Sequence, residues 1–153
     1  MDKLDRRLLR RLQRDCSTSA ARLAQLCGTT ESTALRRIRR MRREGIIRGE
    51  VALVDSQKVG RGLQMFVRVR LERESGEQVR AFIARVESHP DVVQFFFVTG
   101  TTDYMILLCV RTMEDYDRFL QENVISDPVV VLSSTNVVIR PIKWSHEVTI
   151  DDA

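Results

Sequence analysis

The apolar residues of this 153-residue chain change their repeat near residue 60. Before that point they recur every three to four positions, in short runs broken by Gly28 and Gly45. From Leu63 onward, strand-like stretches alternate with helical ones in the order strand, helix, strand, strand, helix, strand. Such a chain is expected to be α+β: a small helical unit over residues 1–50, a connecting strand and hinge over 51–62, and a βαββαβ unit over 63–153.

In the helical unit, Leu4, Leu8 and Leu12, with Leu9 beside them, mark one amphipathic helix, with Asp2 as its cap and Asp5 in its first turn. Ser19 caps a second helix whose inner face is Leu23, Ala24 and Cys27, and Gly28 supplies a left-handed stop. Thr30 caps a third, over about 31–44, with Ala34, Leu35, Ile38 and Met41 inward and Gly45 at its end. Two short helices joined by a tight glycine turn read as a helix-turn-helix. Its second helix is expected to show Ser32, Thr33, Arg36, Arg37, Arg40 and Arg43 on its outer face. Hydroxyls near a helix N-terminus and arginine forks suit phosphate and guanine edges in a major groove. An arginine-rich solvated face is the plainer reading, but such a face normally mixes signs to gain i,i+4 pairs, and here Glu44 is the one acidic residue among six arginines at 36–43 and Arg48. Thr30, Ser32, Thr33, Arg36, Arg37 and Arg40 are therefore the expected contacts to double-stranded DNA.

Charge supports this division. Residues 1–50 hold 14 basic and 6 acidic residues, a net +8, whereas residues 51–153 hold 11 and 15, a net −4. One end is built to meet a polyanion.

Beyond it, 50–55 reads as a short strand and Ser56–Gly62 as a hinge. Leu63–Leu71 alternates apolar and polar residues; Ser75-Gly-Glu-Gln78 is a capping box that opens a helix with Val79, Phe82, Ile83 and Val86 inward; Thr112 starts another with Tyr116, Phe119, Leu120 and Val124. A last strand is expected over about 129–143. The order is ferredoxin-like, with both helices on one face of an antiparallel sheet. Stretches 92–98 and 105–110 are apolar at nearly every position, which implies burial on both faces. Two helices cover one face only, so a second copy of the chain is expected on the other.

Several function classes are disfavoured. Cys16, Cys27 and Cys109 are odd in number, form no CxxC and lie far in sequence from His89 and His146, so neither a disulfide framework nor a zinc site is expected. No catalytic motif and no cofactor signature stands out. No apolar run reaches the roughly 20 residues that a membrane span needs, and the N-terminus MDKLDRRLLRRL lacks a signal-peptide core, so the expected location is cytoplasmic with no membrane partner.

Four stretches carry a family likeness: LDRRLLRRLQRD at 4–15, ARLAQLCG at 21–28, RRIRRMRREGII at 36–47 and VTGTTDYMILLCV at 98–110. Through them the chain resembles the Lrp/AsnC regulators, the leucine-responsive and asparagine-type proteins also called feast/famine regulators. The resemblance implies a winged helix-turn-helix joined by a strand and hinge to a ferredoxin-like (ACT-like, RAM) effector domain. It also implies homodimers that build up to octamers, and transcription control that responds to an amino acid. Carried onto this sequence, the effector site implied is Gly100, Thr101, Thr102, Asp103 and Tyr104, with the hydroxyls of Ser133 and Thr135. Thr30 stands where serine is common in the family, Arg22 where an acid is common, and 36–43 is richer in arginine than usual, so no known operator transfers. Two alternatives stay open: an architectural DNA-binding protein with little ligand control, and an amino-acid-responsive regulator that acts through protein contacts alone.

Overall fold

A computed structural model describes residues 1–72 and 76–151, so the expected cap at Ser75 lies outside the described residues. The chain divides into two compact units, Met1–Leu53 with Ile142–Ala153, and Val54–Pro141.

The first unit holds helices α1 (Lys3–Leu12), α2 (Ala20–Cys27) and α3 (Glu31–Arg43). Asp2 caps α1 with bonds from the Leu4 and Asp5 amides, and the Asp5 carboxylate accepts in return from the Asp2 N–H, which closes a capping box. Ser19 caps α2, and Gly28 ends it in the left-handed region at φ +63°, where a Cβ would be strained. Leu8, Leu9, Leu23, Ala24, Cys27, Ala34, Ile38 and Met41 make its core.

A buried charge cluster adds to this apolar packing. Asp5 is fully buried, and its two oxygens accept from Arg37 Nη1 at 3.0 Å and Arg40 Nη2 at 2.5 Å. Arg37 also pairs with Asp2. Burial opposes ionisation of Asp5, but the Asp2 amide, Arg37 and Arg40 outweigh it and hold its carboxyl below the ordinary aspartate range. The Asp5 amide, and then Arg37, hold Asp2 at about 2. These bonds lock α1 across α3.

The second unit runs β1 (Leu63–Leu71), α4 (Gly76–Glu87), β2 (Val92–Phe97), β3 (Tyr104–Val110), α5 (Met113–Leu120), a π-helical turn (Gln121–Ile125) and β4 (Val130–Val137). All pairings are antiparallel, in the spatial order β2-β3-β1-β4 expected of a ferredoxin-like sheet. Met65, Val67, Val69, Ile106, Leu108 and Val110 pack under Phe82 and Val86 of α4 and Phe119 of α5. The π turn buries Val124 and Asn123, whose Nδ2 donates to Phe119 O.

Five sequence expectations need correction. Residues 50–55 form no strand; Val51, Leu53 and Val54 are exposed, and among the described residues no strand lies opposite them. The first unit likewise contains no strand among its described residues, so no wing stands beside its helices there. Ser56–Gly62 is a pinned turn, with the Arg61 N–H donating to Ser56 O at 2.7 Å and the Arg61 guanidinium paired with Asp91 and bonded to Cys109 O. Strand β4 stops at Val137, opposite Met65; the Val138 amide still bonds Gln64 O, Ile139 beyond it is exposed, and Pro141 has no N–H to offer. Finally, the segment from Ile142 onward does not extend the sheet; it docks on α1, where the Gln13 side chain accepts from Val148 N at 2.8 Å and donates to Val148 O at 3.1 Å.

The doubly buried strand pair is half right. On β3, Ile106, Leu108 and Val110 face the helices while Leu107 and Cys109 are also buried on the other side. On β2, an edge strand, Val93, Phe96 and Phe97 are exposed, Phe97 by 76%.

Asp5→Asn tests the buried cluster. It leaves two guanidiniums facing a neutral amide and is expected to cost the first unit about 2 kcal/mol, since Arg40 can still turn to water. Because the folded-state pKa values of Asp2 and Asp5 are depressed, their stabilisation is present above about pH 4 and is lost as pH falls toward 2. Acid titration of the helical circular dichroism signal should show this loss in the native chain and a smaller one in Asp5→Asn.

Candidate DNA-binding face and effector turn

Helix α3 begins at Thr30, whose backbone is extended and whose Oγ1 accepts from the Thr33 N–H at 3.3 Å. The same hydroxyl lies 2.9 Å from Thr33 Oγ1 and 3.2 Å from Ser32 Oγ, so the first turn of α3 presents three clustered hydroxyls. With Ala34, Ile38 and Met41 buried, the positions opposite them are Ser32, Arg36, Arg39 and Arg43, spaced i, i+4, i+7 and i+11, and all four are exposed. Among the described residues, Arg36, Arg39 and Arg43 make no ion pair.

This corrects the arginine face read from sequence. Arg37 and Arg40 do not share the outer face with Arg36; both turn toward α1 and hold Asp5. Arg42 is drawn aside by Glu50. Arg39 was not singled out, although its i+7 spacing from Ser32 is visible once the centre of the buried stripe is set by Ala34, Ile38 and Met41. The result is a basic ridge along the solvent side of α3, headed by hydroxyls at the positive end of the helix dipole.

The second candidate site begins at Gly100, where φ is +119° and the chain turns between β2 and β3. The turn closes with Val98 N–H to Asp103 O at 2.8 Å and is tied to β1 by Asp103 N–H to Val69 O at 3.0 Å. Asp103 Oδ2 accepts from the Leu71 amide at 2.9 Å, so this carboxylate also holds the end of β1. Thr101 is exposed and Thr102 half-buried at the tip. The Tyr104 ring sits among Phe82, Phe95 and Phe97 at centroid distances of 5.2 to 6.3 Å. Burial pushes its hydroxyl pKa up, and the charge of Asp103 adds to this.

Ser133 and Thr135 lie on the helix-facing side of β4. Ser133 is paired with Val69, which is paired with Tyr104, so the three form one row across the sheet. Ser133 is thus two strand spacings, about 10 Å, from Tyr104. The Thr135 hydroxyl accepts from Tyr116 OH at 2.8 Å, one residue pair along. The structure therefore brings Gly100, Thr101, Thr102, Asp103 and Tyr104 together at one end of the sheet and sets Ser133 and Thr135 apart from them, across β1. Among the described residues no group of three His, Cys, Asp or Glu could hold a metal, and no helix is long and apolar enough to cross a membrane.

Comparisons with known proteins agree with both halves of this architecture. Residues 1–42 match the AsnC-type helix-turn-helix domain and residues 64–148 the Lrp/AsnC ligand binding domain. The chain is similar to the DNA-binding transcriptional activator DecR of Escherichia coli (strain K12), 33% identical over 151 residues, 99% of either chain. Among solved structures it resembles an AsnC family transcriptional regulator from Agrobacterium tumefaciens, with a TM-score of 0.91, 34% identity and 97% of each chain covered. It also resembles a transcriptional regulator from Neisseria meningitidis in complex with L-Met, with a TM-score of 0.92, 28% identity, and 97% of this chain and 96% of that one covered. A helix-turn-helix with an exposed arginine ridge, joined to a ferredoxin-like unit and matched in both parts, makes this chain a member of the Lrp/AsnC family of DNA-binding transcriptional regulators.

Proposed function

We propose that the protein lays α3 in the major groove of double-stranded DNA, works in the cytoplasm as a homodimer or larger ring, and changes its DNA affinity when an amino acid binds beside the Gly100–Tyr104 turn. It is read as a regulator with no catalytic step and no cofactor. The observation that carries the DNA reading is the exposed ridge Ser32, Arg36, Arg39 and Arg43 on the second helix of the motif, whose arginines make no ion pair among the described residues. Thr30 and Thr33 order its N-terminus for phosphate contact, while Arg37 and Arg40 act through Asp5 to hold the helix in place.

The amino-acid reading is supported by the L-Met bound to the Neisseria relative and by the match of residues 64–148 to a ligand binding domain. Amide N–H groups of a glycine-led turn suit a carboxylate, and Asp103 suits an ammonium. Ser133 and Thr135 complete such a site only where the turn of another subunit approaches β4, which ties ligand binding to assembly. The sheet side facing away from α4 and α5 exposes Phe96 and Leu132, apolar surface fit for a second copy.

Three outcomes are expected. Arg36→Ala/Arg39→Ala, folded by circular dichroism, should lower the salt slope of DNA binding by about 2 and weaken binding to a promoter fragment; Arg37→Ala should instead lower the melting temperature. Equal affinity for promoter and random duplex would favour an architectural role. In a thermal-shift screen of the twenty amino acids, a true effector at 100 times its Kd should add about 2.7 kcal/mol to the native state, and Asp103→Asn, which keeps an oxygen for the Leu71 amide but drops the charge, should lose that shift. Phe96→Lys should reduce the oligomer size seen by light scattering.

A further inference from the structure

Helix α1 carries Arg7, Arg10 and Arg11, and Arg14 follows in the turn after its C-cap, so four guanidiniums spaced i, i+3, i+4 and i+7 lie along one end of the chain's first helix. They line a cleft of about 190 Å³ with Leu26 and Cys27. Like charges at i,i+4 repel, and the acidic residue within α1, Asp5, is already committed to Arg37 and Arg40. A cluster of this kind is favourable only with an anion on it. One is present: the acidic end of the chain itself. Arg14 Nε meets the Glu147 carboxylate at 2.9 Å, and Arg10 Nε donates to Ile150 O at 3.0 Å. Val148 is clamped on both of its backbone groups by Gln13, and Ile150 packs on the core of the first unit. Residues 142–153 contain Lys143 against Glu147, Asp151 and Asp152, so an anionic segment lies on a cationic unit. Arg7 and Arg11 remain exposed and, among the described residues, make no ion pair.

We propose that the arginine ridge of α1 is a second DNA-phosphate surface, separate from α3, and that the acidic C-terminal segment is its built-in competitor. With the segment docked, Arg10 and Arg14 are occupied and the unit's positive charge is reduced. As DNA binds, phosphates displace Glu147 and the segment lifts. The affinity of the regulator is then set partly by an intramolecular acidic peptide, whose grip weakens with salt along with that of DNA.

The single tryptophan of the chain, Trp144, sits in this segment and reports on it. In the full-length protein, Gln13→Ala loosens the clamp without changing charge, and Glu147→Gln/Asp151→Asn removes two anions. Both should lower the fluorescence anisotropy of Trp144 and tighten DNA binding roughly 1.5- to 5-fold at low salt. Adding a duplex to the native protein should lower the anisotropy in the same way once the change in tumbling, followed on a label at Cys16, is subtracted. Arg7→Ala/Arg11→Ala, which touches neither the segment nor α3, should reduce the salt slope of DNA binding by about 1 to 2. An unchanged slope in that variant would show that the ridge does not meet DNA. Unchanged or weaker DNA binding in a variant whose Trp144 is freed would show that the segment supports the unit and does not compete. Constant anisotropy across both segment variants and on addition of DNA would show that the segment is not docked in solution. Each of these results overturns the proposal.

Discussion

One buried carboxylate organises the DNA-binding unit. Asp5 is fully buried, and its two oxygens are shared by Arg37 and Arg40. A lone carboxylate in that place would cost several kcal/mol; two guanidiniums and the Asp2 amide make it tenable. The consequence reaches α3, which carries six arginines within eight residues. Left to itself such a helix would repel along its whole length. Asp5 takes two arginines inward, Glu50 draws Arg42 aside, and the three left on the solvent side form a single line. The direction in which the recognition helix presents its charge is thus decided from α1, thirty residues upstream.

The second unit shows a similar economy. Strand β3 is buried on both faces, under α4 and α5 on one side and with Arg61 bonded to Cys109 on the other, whereas the edge strand β2 leaves Phe96 and Phe97 exposed. The Gly100–Tyr104 turn is anchored to β1 through Asp103 on both backbone and side chain. The turn is therefore coupled to the end of β1, the strand that also pairs with β4. Tyr104, Val69 and Ser133 in one row make the sheet a short mechanical path from the turn to the opposite edge.

Much of this was legible in the sequence, and what was legible was local. The caps at Asp2, Ser19, Thr30 and Thr112, the left-handed Gly28 and the βαββαβ order rest on contacts within a few residues, and the structure has them all. What failed depended on partners distant in sequence. The side on which Arg37 and Arg40 lie depends on Asp5, more than thirty positions away. The apolar run at 51–54 has strand character and, among the described residues, no strand to meet. Within the candidate effector site, the turn was readable from its glycine and aspartate, but the separation of Ser133 from Tyr104 follows from strand order, which single-strand patterns do not contain. The docked C-terminal segment is apolar and charged in no regular period, and its fit to Gln13 is a matter of one side chain and one backbone.

That docking makes the first unit discontinuous in the chain: it opens at Met1, is interrupted after Leu53 and resumes at Ile142. Synthesis runs in one direction at about 5–20 residues per second, so the ribosome takes roughly 4 to 18 s to pass from the first part of this unit to the second. Throughout that interval the ferredoxin-like unit can be completed, while the arginines of α1 stand without their acidic cover. The nascent regulator therefore passes through a stage at which its helix-turn-helix is folded and at its most cationic, beside the RNA of the ribosome, and synthesis of the segment from Ile142 onward closes that window.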